Sequence, residues 1–134
     1  MKQSKINSAL LILRVTLGLL MILHGFSKLT HGVDGIGNML SDKGIPYFVA
    51  YGVIIGEFVA PLLMIIGFRT KLASIVFSFT MLVAVLLAHS GEIFSLTEHG
   101  SWAIELQGLY FFGGIVLMLT GAGKYAVSTK NKWD

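Results

Sequence analysis

Six ionisable side chains interrupt otherwise apolar stretches of this sequence, where a charge is costly and a structural or chemical reason is expected. They are Arg14, His24, Lys28, Glu57, His89 and Glu105. Imidazole, ammonium and carboxylate groups are the side chains that donate and accept protons in acid–base catalysis. Because the chain has no cysteine, thiolate nucleophiles, disulfides and cysteine-ligated iron–sulfur clusters are excluded. The set therefore suits proton transfer, and redox chemistry would need a cofactor from outside.

The stretches around these charges have the length and composition of membrane-spanning helices. Hydrophobic residues make up 54% of the 134 residues and charged residues 13%, about half of the ~25% charged residues usual in soluble domains. Crossing ~30 Å of hydrocarbon takes roughly 20 apolar residues. We therefore predict one all-α domain over residues 1–134, an integral membrane four-helix bundle. Its predicted spans are about 7–27, 46–67, 71–89 and 101–121.

The first apolar block has an alternative interpretation as a cleaved secretory signal, because Lys2 and Lys5 precede it. However, Arg14 interrupts the apolar core that a signal peptide requires, and no small-residue cleavage site follows. The sequence therefore favours an uncleaved first span.

The basic residues outside the predicted spans are distributed unevenly. Cytoplasmic loops of membrane proteins carry an excess of Lys and Arg. With a cytoplasmic N-terminus, only Lys28 and Lys43 remain on the outer side. The inner side then holds seven of the ten Lys and Arg residues: Lys2, Lys5, Arg69, Lys71, Lys124, Lys130 and Lys132. We predict that both termini are cytoplasmic and that the protein is a multi-pass component of a bacterial-type plasma membrane.

Arg14 and Glu57 form the deeper of two layers of charge, if each helix rises by about 1.5 Å per residue. Since a lone charge facing lipid costs about 2.5–3.5 kcal/mol, we expect these two residues to form a buried structural ion pair. Pro61 removes the amide that would bond the Glu57 carbonyl, so the second span is expected to bend there. A short helix is also expected at residues 37–42.

The shallow layer contains ionisable residues from three different spans. Titratable groups gathered in a cleft are candidates for a functional site, and we interpret this layer as catalytic: His24, Lys28, His89 and Glu105. The alternative is that these residues are solvated helix ends. His31 and His99 are expected to lie in loops and to be solvated. No metal site is predicted.

Several motifs in this order resemble the DoxX family of small four-helix membrane proteins. They are "LRVTLGLLMILHGFSKL", "GEFVAPLLMIIGFRTKLAS", "AVLLAH" and "IELQGLYFFGGIVLMLTGAGKYAVS". The resemblance extends from about Leu11 to Ser128. The segment "GAGKYAVSTK" departs from the family pattern, because it lacks the proline and the final acid that often accompany this motif. The subfamily is therefore left open.

The resemblance implies the membrane subunit of a quinone-linked oxidoreductase system. Family members are similar to the small subunit of thiosulfate:quinone oxidoreductase, and others are associated with quinone or oxidative stress responses. On this hypothesis the shallow layer binds a quinone or a small reductant near the outer leaflet. A histidine or the lysine of this layer would donate to a carbonyl oxygen, and Glu105 would be the proton partner. Aromatic surface would come from Trp102, Tyr110 or Phe26.

Two further classes of function stay open. One is a non-catalytic anchor or assembly factor that docks a soluble redox enzyme. The other, less favoured, is a haem protein with His24 and His89 as axial ligands. The expected partners are the lipid bilayer and a soluble or membrane-bound redox protein. A homo-oligomer is a further alternative, and no nucleic acid is expected.

Overall fold

The computed structural model describes residues 2–134, and the regular structure in this part of the chain is almost wholly helical. Three helices are long and apolar enough to cross a membrane, and a fourth is apolar but has 16 residues. The fold is therefore all-α, with three to four apolar helices of membrane length. The helices are α1 (Gln3–His31), α2 (Asp34–Asp42), α3 (Tyr47–Ile66), α4 (Thr70–Ala88) and α5 (Glu105–Thr120).

Two connections differ in detail from the sequence-based expectation. The short helix expected at residues 37–42 is present as α2, which begins three residues earlier, at Asp34. The Tyr47 hydroxyl donates a hydrogen bond to the Asp34 carboxylate, which ties α2 to the start of α3. The last helix begins at Glu105 instead of residue 101, because the preceding residues fold into a short hairpin through an antiparallel bridge between Leu96 and Trp102.

The long helices pack in chain order, α1 on α3, α3 on α4 and α4 on α5. Glycines permit the closest approaches between them. A Cβ atom on Gly25 would overlap the backbone of Glu57, and one on Gly114 would overlap Ser78. The core between the helices includes Met21, Met64, Phe77, Tyr110 and Leu117.

Helix α3 changes its winding along its length. It begins as a 3₁₀ turn over Tyr47–Tyr51, and a π-helical turn over Ile55–Val59 precedes the α-helical segment Ala60–Ile66. Pro61 has no amide hydrogen, and in a regular α-helix its ring would collide with the carbonyl of Glu57. The irregularity expected at this proline takes the form of the wider π-helical turn, which contains Glu57.

The start of α1 and the segment after α5 lie together at one end of the bundle, which we call the terminal end; the amide of Lys124 donates to Asn7 Oδ1 at 3.2 Å. There the segment after α5 covers the turn between α3 and α4. The amides of Val127 and Ser128 donate to the carbonyls of Ile66 and Gly67, at 3.1 Å each. These bonds satisfy acceptors that the end of α3 leaves without intrahelical partners. The opposite end, the loop end, carries α2 and the connection between α4 and α5.

Candidate functional site

A cavity of about 510 Å³ lies between the long helices and α2, in the half of the bundle nearer the loop end. We call it the loop-end cavity. Its size falls within the roughly 300–1,000 Å³ of small-molecule sites. Most of its lining is apolar, and α2 contributes Ile36, Met39 and Leu40. The polar side chains that line it are His24, Lys28, Glu57, Thr80, His89, Gln107 and Tyr110.

An ion pair between Lys28 and Glu57 lies within this lining. The Lys28 ammonium donates a hydrogen bond to Glu57 Oε2. The Glu57 side chain is only 8% exposed, while that of Lys28 is 30% exposed. The pair joins α1 to the π-helical turn of α3, at the level where Gly25 lets the two helices approach. π-helical turns occur frequently at functional sites.

Arg14 lies nearer the terminal end and caps α3, so the structure does not form the predicted ion pair between Arg14 and Glu57. Its guanidinium Nη1 donates to the carbonyls of Met64 at 3.1 Å and Ile65 at 2.6 Å, and Nε donates to Ala122 at 3.2 Å. The last carbonyls of a helix have no amide partners within it and carry partial negative charge, so a cation is favourable there. Arg14 thereby satisfies the end of α3 and anchors the chain after α5.

His24 and His89 both line the loop-end cavity, His24 from α1 and His89 from the position after α4. The ring of His24 meets the ring of Tyr110 edge-on, with 6.4 Å between centroids. His89 follows the last residue of α4, and its Nδ1 lies 3.4 Å from Oε1 of Glu92. With Lys28, three of the four residues predicted as catalytic therefore line one cavity.

Glu105, the fourth predicted residue, is exposed and is not part of the cavity lining. It is the first residue of α5, where the partial positive charge of the helix N-terminus stabilises a carboxylate. Trp102 and Phe26, proposed from the sequence as aromatic surface, also lie outside the lining, whereas Tyr110 belongs to it. Gln107 was missed, although it is a polar residue in an apolar stretch three positions before Tyr110 and so on the same helical face.

No group of three or more His, Asp or Glu side chains in residues 2–134 is arranged to hold a metal ion. The polar groups of the cavity are instead donors and proton carriers on an apolar wall. Such a lining can orient a flat, largely apolar molecule through hydrogen bonds to its oxygen atoms.

Comparison with known proteins places the chain among small membrane proteins. The sequence model of the DoxX family matches residues 9–90. The "Inner membrane protein YqjF" of Escherichia coli (strain K12) is 28% identical over 126 residues, which cover 92% of this chain and 93% of YqjF. The "Putative oxidoreductase CatD" of Bacillus subtilis (strain 168) is 30% identical over 76 residues. That match covers 57% of this chain and 56% of CatD, just over half of each. No solved structure matches.

Proposed function

We propose that this chain, a multi-pass membrane protein that belongs to the DoxX family, is the membrane subunit of a quinone-linked oxidoreductase and binds a quinone head group in the loop-end cavity. The observation that carries the proposal is the grouping of His24, Lys28 and His89 in one largely apolar cavity. The name of the similar protein CatD, "Putative oxidoreductase", also supports it.

The lining has the two properties that a quinone head group requires. The ring needs apolar walls, and Met21, Met39 and Val53 are among the residues that supply them. The two carbonyl oxygens need hydrogen-bond donors. A Lys ammonium and protonated imidazoles are such donors, so we assign this role to Lys28, His24 and His89.

Reduction of a quinone to a quinol takes two electrons and two protons. We assign proton delivery to the two histidines and to the Lys28–Glu57 pair, because these groups line the cavity and can exchange protons. Glu57 thus takes the role of proton partner that was predicted for Glu105. We assign the electrons to a redox partner protein, such as a dehydrogenase, that docks with the membrane subunit.

The cavity can be tested directly with a short-chain quinone. We expect the quinone to raise the unfolding temperature of the purified protein. His24→Leu and His89→Leu should reduce this shift, because a leucine side chain cannot donate a hydrogen bond to the quinone. Glu105→Gln, outside the cavity, is the matched control and should keep the full shift. Equal shifts in all four proteins, or none in the unsubstituted protein, would contradict the site.

The cellular role requires a second experiment. In a null strain exposed to quinone stress, Glu105→Gln should restore survival, while His24→Gln and His89→Gln should not, at equal expression. Full rescue by all three variants would favour the alternative of a non-catalytic anchor.

Purification in a gentle detergent with lipid extraction should recover a bound quinone and a dehydrogenase. Visible absorption of the same sample tests the haem alternative.

We also propose that the termini are cytoplasmic, so that the cavity lies in the outer half of the membrane. The support is the concentration of Lys residues near the terminal end, such as Lys2, Lys124 and Lys130. Since the chain has no cysteine, Lys130→Cys and Glu98→Cys can be labelled with a membrane-impermeant maleimide. Intact cells should label only Glu98→Cys, and permeabilised cells should label both. Labelling of Lys130→Cys alone in intact cells would show the opposite orientation.

A further inference from the structure

The hairpin of residues 93–103, between α4 and α5, exposes large apolar side chains. Phe94 is 99% exposed and Leu96 is 71% exposed. Leu96 pairs with Trp102 across the hairpin, and the amides of Thr97 and Ala103 donate to the carbonyls of Ser101 and Ser95. In water this exposure would be unfavourable, which raises the question of what the hairpin contacts.

Some of the backbone groups of the hairpin are hydrogen-bonded within it or to the residue just before it. Beyond the cross-strand bonds, the amide of Ser95 donates to Glu92 at 3.0 Å, and that of Gly100 donates to Thr97 at 2.9 Å. The indole Nε1 of Trp102 donates to the carbonyl of Ile93 at 2.6 Å. Irregular backbone can leave bulk water only when its polar groups find partners of this kind. Within residues 2–134, the amides of Leu96 and His99 have no protein acceptor and so need water, which the headgroup region contains and the hydrocarbon core does not.

The length of α5 indicates where the hairpin lies. Its 16 residues span about 24 Å, roughly 6 Å less than the hydrocarbon thickness of a bilayer. A helix of this length that crosses the bilayer brings its flanking segments, including the one before Glu105, close to the membrane boundary. Exposed apolar residues of the flanking helices, Leu86 on α4 and Leu109 on α5, extend the lipid-facing surface toward it. Trp102 packs against Gly108, which fixes the hairpin on α5.

Glu98, the one Asp, Glu, Lys or Arg residue of the hairpin, lies at its turn. Residues 90–104 contain no Lys or Arg. The side chains of Glu98 and His99, at the turn, are 88% and 86% exposed. The acidic turn is suited to water, whereas Phe94 and Leu96 are suited to an apolar surface.

We propose that the 93–103 hairpin lies in the headgroup region of the bilayer, where Phe94, Leu96 and Trp102 contact lipid while Glu98 faces water. It is thus an interfacial anchor that holds the start of α5 at the membrane boundary. This inference does not depend on quinone binding. Trp is enriched at membrane–water interfaces because its ring is apolar and its N–H is polar.

Spin labels on single cysteines test this placement, and a label at position 98, at the turn of the same hairpin, is the control. Phe94→Cys, Leu96→Cys and Glu98→Cys are labelled and reconstituted into vesicles of phosphatidylcholine and phosphatidylglycerol. We expect labels at 94 and 96 to collide more often with oxygen, which partitions into lipid, than with a water-soluble nickel chelate. The label at 98 should show the reverse. Frequent chelate collisions at all three positions would overturn the proposal, and so would protection of 94 and 96 from both reagents, which indicates a protein contact.

The tryptophans give a second measurement that needs no cysteine. The chain has two, so Trp133→Phe leaves Trp102 alone. We expect vesicles with brominated acyl chains to quench its emission, and iodide in the water to quench it weakly. Replacing Phe94 and Leu96 together with Ser in this background should reduce bromine quenching and increase iodide quenching. Two results would overturn the proposal: quenching that does not change in the Ser variant, or strong quenching by iodide in the Trp133→Phe protein with Phe94 and Leu96 intact.

Discussion

Lys28 of α1 and Glu57 of α3 form an ion pair inside the loop-end cavity, and the glutamate sits on a π-helical turn that precedes Pro61. This relationship links three features: a close helix approach at Gly25, an interrupted helix and a candidate ligand site. The same pair thus contributes to the packing of α1 on α3 and to the polar lining of the cavity.

Breaking this pair on one side should destabilise the protein more than removing both charges. Glu57 is buried, so Lys28→Met leaves an uncompensated carboxylate. We expect a loss below the ~3–5 kcal/mol typical of buried pairs, because Lys28 is partly exposed. The double variant Lys28→Met with Glu57→Leu should recover much of that loss. Thermal unfolding in lipid nanodiscs measures both, and additive losses would show that the pair is not coupled.

Arg14 should be irreplaceable by lysine. Its guanidinium bonds three carbonyl groups from two segments, and a lysine ammonium cannot match that planar geometry. We expect Arg14→Lys and Arg14→Leu each to reduce stability by about 2–4 kcal/mol. Arg14→Leu should add to Glu57→Leu within ~0.5 kcal/mol, because the two residues do not meet. If the double variant were more stable than either single variant, the ion pair predicted from the sequence would be supported instead.

Gly25→Ala should separate α1 from α3. The new methyl group would overlap the backbone of Glu57, and such overpacking costs about 1–3 kcal/mol. Gly35→Ala in α2 is the matched control, because no atom lies within 4 Å of its Cβ position. That change should be neutral or stabilising by roughly 0.5–1 kcal/mol. Equal unfolding temperatures for the two variants would contradict the close helix contact.

Asp134 should contribute stability that is lost in acid. Burial raises its pKa, but hydrogen bonds from Ser128 and the Asn131 amide, together with Arg69, outweigh burial and hold the pKa below its ordinary value of 3.8. A lowered folded-state pKa means that the contribution is complete above the unfolded pKa and disappears as pH falls through the folded pKa. Asp134→Asn should therefore be less stable than the unsubstituted protein at pH 6–8. Thermal unfolding of both proteins over a series of pH values measures the difference. The gap should narrow below about pH 4. A constant gap would contradict this account.

The composition predicted the membrane character of the protein. The sequence also predicted part of the polar lining of the loop-end cavity. His24, Lys28 and His89 were singled out because each is ionisable within an apolar stretch, and all three line the cavity. Glu105 was grouped with them because depth alone was considered. It is exposed at the start of α5, since the hairpin before it delays the helix.

The sequence by itself determined the all-α fold and the apolar helices, because hydrophobic length and charge placement are local properties of the chain. It also located the irregularity at Pro61, since a missing amide acts within one helical turn. Only the tertiary structure decided which charges meet. Depth along a helix does not specify its rotation or axial offset against a neighbour, and those are set by close contacts such as Gly25 on Glu57. For this reason Glu57 pairs with Lys28, while Arg14 caps the end of α3.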